Sequence, residues 1–152
     1  MKRILVFTAL VMGVHIGFAQ SYHFVSFQYR HATQKGTKWQ EAPDWVNDQN
    51  AVTLNLDKNQ LLISSDVTEE FDVVRTTKKY LDDAGHVWIE CSGIDSEGNE
   101  CIIKIELISG TDENSEGNLY LQYENSMVIY RIRGDKGIEH QQLLANSLIE
   151  LH

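Results

Sequence analysis

Two cysteines, Cys91 and Cys101, carry the most reactive side chains of this sequence. Both are odd-numbered positions of one predicted β-hairpin, so their side chains face the same side of it. Alignment of the hairpin on a turn at Gly98 places them diagonally, whereas a shift of two residues would place them directly opposite. In an oxidising compartment such a pair often closes, and the alternative is two buried thiols. Cys91 and Cys101 are therefore a candidate disulfide, and the register of the hairpin decides whether the two sulfur atoms can reach each other.

Metal-binding and catalytic patterns are missing from the sequence. Neither Cys-x-x-Cys nor His-Glu-x-x-His occurs, and His86 is expected to face solvent after a turn glycine. Gly-x-Ser-x-Gly and a phosphate-binding glycine loop do not occur either. We expect no catalytic residue, no metal site, no cofactor and no enzymatic activity. A hydrolase, with a carboxylate or histidine of perturbed pKa in a cleft, is the minor alternative.

One acidic loop partly resembles a calcium-binding sequence. Asp112, Asn114 and Glu116 alternate before a glycine, as in the first half of such a loop. The twelfth position would be Tyr123 instead of the usual glutamate, so the sequence favours a solvated hairpin loop.

Aromatic residues offer the best candidates for ligand binding. Trp39 and Trp45 lie in residues 31–50, the longest segment predicted to be irregular, and such segments often carry function. The two tryptophans could stack on a sugar or line the mouth of a barrel, with Tyr29 as a third candidate. The alternative is that they cap the core at one end.

A second aromatic group is predicted on the outer face of the sheet. Trp88 lies opposite Glu106 in the hairpin that contains the cysteines, and both side chains point away from the apolar face. Together with Tyr80 and Tyr120, Trp88 would form a patch that marks a contact surface.

The N-terminal residues have the layout of a secretory signal peptide. Met1-Lys2-Arg3 is basic, residues 4–18 are almost wholly apolar, and small residues precede a cut after Ala19. The apolar run is too short to span a bilayer. We expect residues 1–19 to be removed and residues 20–152 to form one domain in the periplasm or outside the cell, with no remaining membrane span.

The acidic character of the chain restricts its partners. The sequence has 13 basic and 22 acidic residues and a formal charge of −9, and loss of Lys2 and Arg3 would make it more negative. A surface this acidic repels nucleic acid and anionic membranes. We therefore expect no nucleic acid partner.

Short alternating apolar runs separated by turn residues predict an all-β fold. Three hairpins are expected, at residues 52–65, 87–107 and 119–132. The first hairpin should pair Leu56 with Leu61, the second Cys91 with Ile103, and the third Leu121 with Tyr130.

About eight strands follow one another, which predicts an antiparallel meander closed into a small barrel. Adjacent Val73 and Val74 suggest a bulge. Leu144, Leu148 and Leu151 recur at helical spacing, so a C-terminal helix is expected over residues 138–150. A seven-stranded barrel capped by a helix is the alternative fold.

Three segments resemble a group of small exported proteins of Gram-negative bacteria without an assigned activity. They are residues 52–63, 95–101 and 119–123, which hold strand and turn patterns. The resemblance implies a compact, barrel-like β fold, and it transfers no catalytic residue to this sequence. More loosely, the meander is similar to the calycin (lipocalin-like) barrel, although the Gly-x-Trp signature of lipocalins does not occur in the first strand.

Besides the minor hydrolase alternative, these observations lead to two functional hypotheses. The first hypothesis is a non-catalytic binding module for a small apolar ligand, a glycan or a protein partner. The second is a structural or inhibitory interaction protein with a solid core and no small ligand. An open lumen would favour a carrier, and a filled interior would favour surface contacts.

Overall fold

The computed structural model describes residues 21–108 and 116–134, which form an all-β fold. Strand-forming residues dominate these segments, and inward and outward side chains alternate along most strands. The strands are β1 (Ser21–Lys35), β2 (Lys38–Glu41), β3 (Val46–Asn55), β4 (Gln60–Ser64), β5 (Thr68–Leu81), β6 (Val87–Asp95), β7 (Glu100–Leu107), β8 (Glu116–Gln122) and β9 (Ser126–Gly134).

Eight of these strands close into an antiparallel barrel. From β3 to β9 each strand pairs with the next along the chain, and β1 pairs with both β3 and β9. The short strand β2 pairs only with the end of β1, outside the closed part. The predicted antiparallel meander and barrel are therefore confirmed. Closure leaves no open edge among the eight strands, which removes a site of edge-to-edge aggregation.

The barrel interior is filled by apolar side chains. Inward residues of all eight strands form one buried cluster, and Leu54, Leu61, Leu107 and Leu119 are each 0% exposed. Side chains that lined a water-filled lumen would keep accessible area. The inward residues described by the structure therefore form a packed core, the arrangement that eight-stranded barrels can adopt without a ligand.

The predicted hairpin around Gly98 is confirmed in its register. Cys91 pairs with Ile103, and Gly98 has a φ of 87°, a left-handed conformation that glycine adopts without strain. The Asp95 carboxylate accepts hydrogen bonds from the backbone N–H groups of Glu97 and Asn99, at 2.9 and 2.8 Å. These contacts specify the turn and hence the register of β6 on β7.

The other two predicted registers are wrong by two residues, although the faces are correct. Leu61 pairs with Leu54 instead of Leu56, because four residues, 56–59, form the turn. Leu121 pairs with Val128 instead of Tyr130, because the loop is Glu124-Asn125. A shift by two keeps every side chain on its face, so the core was still predicted correctly.

Bulges occur in two strands. The predicted irregularity near Val73 and Val74 is confirmed by two register shifts between β5 and β6. A further bulge between Ser26 and Gln28 in β1 was not predicted, and it bends the strand that closes the barrel.

The segment predicted to be irregular, residues 31–50, is mostly strand. β1 continues to Lys35, a turn with Gly36 at φ 64° follows, and β2 returns to Glu41. The sequence pattern does not indicate this hairpin. Its outer part is exposed on both faces, so polar and apolar residues do not alternate there.

Several predictions lie outside the described residues. These are the signal peptide, the C-terminal helix and most of the acidic loop that resembles a calcium site. Within the described residues, no helix is long and apolar enough to cross a bilayer.

Candidate functional site on the outer wall

A row of polar and aromatic side chains crosses the outer wall of the barrel. Tyr80 on β5 pairs with Trp88 on β6, and Trp88 pairs with Glu106 on β7. The row continues to Asn118 on β8 and Arg131 on β9. Because directly paired residues of neighbouring strands share a face, all five side chains point outward from one side of the barrel.

Three aromatic rings of this wall lie nearly parallel. The Tyr80 and Trp88 ring centroids are 6.2 Å apart with planes inclined by 6°. The Trp88 and Tyr120 centroids are 5.7 Å apart with planes inclined by 24°. All three residues are half-buried, so each keeps surface in contact with solvent. The structure thus brings together the aromatic patch predicted from the sequence.

Glu106 is the polar centre of the wall. Its side chain is 12% exposed, and Oε2 accepts hydrogen bonds from Asn118 Nδ2 at 2.8 Å and from the Tyr120 hydroxyl at 2.9 Å. His86 Nδ1 lies 2.9 Å from the other oxygen, Oε1. Burial, followed by the bond to Glu106, raises the pKa of Tyr120 above its usual value, so the hydroxyl stays a donor.

The turn between β5 and β6 places Asp82 beside this centre. Asp82 Oδ1 accepts the backbone N–H groups of Ala84 and His86, at 3.0 and 2.9 Å, and Oδ2 accepts the Trp88 indole N–H at 2.9 Å. These hydrogen bonds, first that of Trp88, lower the pKa of Asp82. The carboxylate is therefore held in one orientation and stays ionised at neutral pH.

Asp82, His86 and Glu106 converge at this point. One donor atom from each lies within 4.8 Å of the others, and His86 Nδ1 is 3.6 Å from Asp82 Oδ2. The expectation that His86 faces solvent is wrong, since 25% of its side chain is exposed and the ring contacts both carboxylates. No sequence motif joins these three residues. A signal existed, because Trp88 was placed opposite Glu106 and His86 lies two residues earlier on the same face.

A cleft of about 380 Å³ adjoins the far side of Tyr120. Trp45 lines this cleft, and two guanidinium groups contact its ring, with Arg30 Cζ 4.2 Å and Arg131 Cζ 4.1 Å from the ring centroid. Arg30 also forms an ion pair with Glu41. The cation–π contacts fix the link between β2 and β3 against the wall. We call this arrangement the Trp45 clamp.

The three aromatic residues predicted to bind a ligand occupy two places. Trp39 and Trp45 pack against a small outer cluster made of Ala32, Met127 and Ile129. Tyr29 packs against the main core, with its ring centroid 6.0 Å from that of Tyr130. Trp39 and Trp45 therefore lie at one site and Tyr29 at another. Their role in binding stays a prediction.

The two cysteines are buried. Cys91 pairs with Ile103 and Cys101 with Gly93, so the thiols are diagonal, as the preferred register predicted. Burial raises the pKa of Cys101 to about 11, which makes its thiol a poor nucleophile. Diagonal positions are farther apart than a relaxed disulfide requires, so this register disfavours the bond, which stays a prediction.

Comparisons with known proteins yield no relative that could add to this site. No protein-family model, no curated protein and no solved structure matches the chain. The fold and the outer wall define the class: a closed, eight-stranded antiparallel barrel with a packed core and a polar, aromatic site on its outside.

Proposed function

We propose that this protein is a non-catalytic, exported binding module that holds a neutral glycan against its outer wall. The observation that carries the proposal is the set of three nearly parallel rings, Tyr80, Trp88 and Tyr120, beside the Trp45 clamp and its cleft. Aromatic surface packs against the C–H faces of sugar rings, and neighbouring polar groups bind their hydroxyls.

The polar groups around the cleft suit a ligand without net charge. Two guanidinium groups, Arg30 and Arg131, face two carboxylates, Glu41 and Glu116, in the same lining. Their charges balance, so an anionic or cationic ligand gains little from the site. Carboxylates and the Asn118 amide can instead accept from and donate to the hydroxyls of a neutral sugar.

The packed interior supports a ligand on the outside rather than within the barrel. Leu54 on β3 and Leu119 on β8 are each 0% exposed, and the inward side chains around them form one cluster. We therefore do not extend the proposal to a small apolar ligand in a lumen. A carrier of that kind would need inward residues with accessible area.

An array of immobilised neutral oligosaccharides, probed with the full chain, tests the proposal. Wild-type protein should bind a subset of these glycans saturably, and isothermal calorimetry should then give a one-to-one complex. Trp88→Ala should weaken that binding about tenfold or more, because the central ring of the three is removed. Phe27→Ala, an aromatic residue in a different cleft, is the matched control and should bind like wild type.

Two results would contradict the glycan proposal. One is the absence of saturable binding to any neutral oligosaccharide at millimolar concentration. The other is equal binding by wild type and Trp88→Ala while both give the same unfolding transition. Either result favours the second candidate, an interaction protein without a small ligand, which the packed core also suits. Cross-linking in its own compartment, compared between wild type and Trp88→Ala, would then identify a protein partner.

A further inference from the structure

We propose that Asp82, His86 and Glu106 form a binding site for a first-row divalent metal ion, with Zn²⁺ as the best fit. The site goes beyond the proposed glycan binding and does not depend on it. It lies where the turn between β5 and β6 meets the middle of the outer wall.

The donor atoms lie close to the spacing of a metal coordination shell, and all three are within 4.8 Å of one another. His86 Nδ1 lies 2.9 Å from Glu106 Oε1 and 3.6 Å from Asp82 Oδ2. Ligands that bind one Zn²⁺ at about 2.1 Å are roughly 3.0–3.4 Å apart, depending on the coordination angle. A cation can therefore enter between the imidazole and the two carboxylates with small side-chain rotations.

Both candidate carboxylate ligands are already oriented by outer partners. Asn118 and Tyr120 hold Glu106 through Oε2, which leaves Oε1 directed at His86. The Trp88 indole N–H and two backbone N–H groups hold the Asp82 carboxylate. Outer contacts of this kind are typical of metal ligands, whose orientation they fix before the ion binds. A simple surface ion pair needs none of them.

The chemistry of the donors selects the class of ion. One imidazole with two carboxylates suits Zn²⁺ and its first-row neighbours, whereas Ca²⁺ and Mg²⁺ prefer oxygen ligands alone. Two carboxylates and a neutral imidazole carry two negative charges, which a divalent cation neutralises. The side chains are 30%, 25% and 12% exposed for Asp82, His86 and Glu106, so water can complete the coordination shell.

Calorimetric titration of the full, untagged chain with ZnCl₂ tests the site. We expect one Zn²⁺ per chain and a rise of the melting temperature with Zn²⁺ concentration, because the ion binds only the folded site. His86→Gln and Glu106→Gln should each weaken binding at least tenfold. His23→Gln is the control, since His23 is exposed and its ring contacts Ser21 and Thr53 instead of carboxylates.

Cobalt provides a readout that a purely structural role of these residues would not change. Co²⁺ should give visible d–d absorption bands in the wild type and in His23→Gln, and these bands should be lost in His86→Gln. Zn²⁺ binding of equal affinity in wild type and both site variants would overturn the proposal, as would no Zn²⁺ binding by folded wild type. If His86→Gln does not fold, Asp82→Asn replaces it in the same comparison.

Discussion

The interior and the outer wall of this barrel are built from the same strands on different principles. Most inward positions hold apolar residues that are almost fully buried, and such residues tolerate substitution by apolar residues of similar size. Outward positions between β5 and β9 hold a chain of specific contacts, from Tyr80 through Glu106 to Arg131. The interior therefore stabilises the fold in proportion to its buried apolar area. The outer wall instead positions individual side chains through specific contacts.

The largest expected effect compares two neighbouring residues of β7. Ile103 is 1% exposed in the core, and Ile102 is 42% exposed on the outside. Ile103→Ala should lower the free energy of unfolding by about 2–5 kcal/mol, and Ile102→Ala by less than about 1 kcal/mol. Urea denaturation of both variants measures the difference. Equal losses would mean that the inner and outer faces are not distinct.

A smaller effect should connect the two regions. A Cβ added at Gly117 would lie 2.3 Å from the backbone oxygen of Glu106, which cannot move away freely as a side chain can. Gly117→Ala should cost about 1–3 kcal/mol and displace Glu106 from its partners. Because Trp88 lies opposite Glu106, its fluorescence spectrum should shift as well. A stability loss with an unchanged Trp88 spectrum would contradict this coupling.

Gly93→Ala is the matched control for that experiment. Its added Cβ would meet the end of the Ile103 side chain at 2.6 Å, and this atom can rotate away. We expect a smaller loss of stability than for Gly117→Ala and no change in the environment of Trp88. The pair therefore separates crowding of the core from displacement of the wall.

The smallest expected effects are changes of stability with pH. They should occur at alkaline pH for the core and at acid pH for the outer wall. The pKa of Cys101 in the core is raised from 9.0 to about 11, so the unfolded thiol ionises first. Stability should fall between these values as the pH rises. The pKa of Asp82 on the wall is lowered from 3.8, so its contribution is present above that value and is lost as the pH falls through the folded pKa.

Urea midpoints measured across pH test this contrast. Cys101→Ala should flatten the alkaline limb alone, and Asp82→Asn should flatten the acid limb alone. If Cys101→Ala changed the acid limb, or Asp82→Asn the alkaline limb, the assignment of that limb to the substituted residue would be wrong.

The core could be predicted from alternation, and the registers only where a turn was specific. Gly98, with its left-handed φ, allowed one alignment of β6 on β7. The turn at residues 56–59 contains no glycine, and Asn59 takes the positive φ of 50° instead. Several alignments were compatible with that sequence, and the pattern of apolar residues does not separate alignments that differ by two.

Only the contacts of the outer wall that lie within a single hairpin could be predicted from the sequence. Trp88 and Glu106 were placed opposite each other because both belong to the hairpin with the specific turn. The Trp45 clamp could not be predicted, because Arg30 and Arg131 meet only when β1 closes on β9 across its bulge. No local pattern reports a contact that arises from closure of the whole barrel.

The pairing of β1 with β9 also has a consequence for how the chain folds. Phe24, near the start of the first strand, lies beside Gly134, at the end of the last one. Closing so long a loop is entropically expensive, and folds with such distant pairs form slowly. The edge of β1 that faces β9 therefore stays unpaired until the ninth strand has formed, although β3 can pair with the other edge earlier. This order of events makes the pairing of the final strand the step that completes the native state.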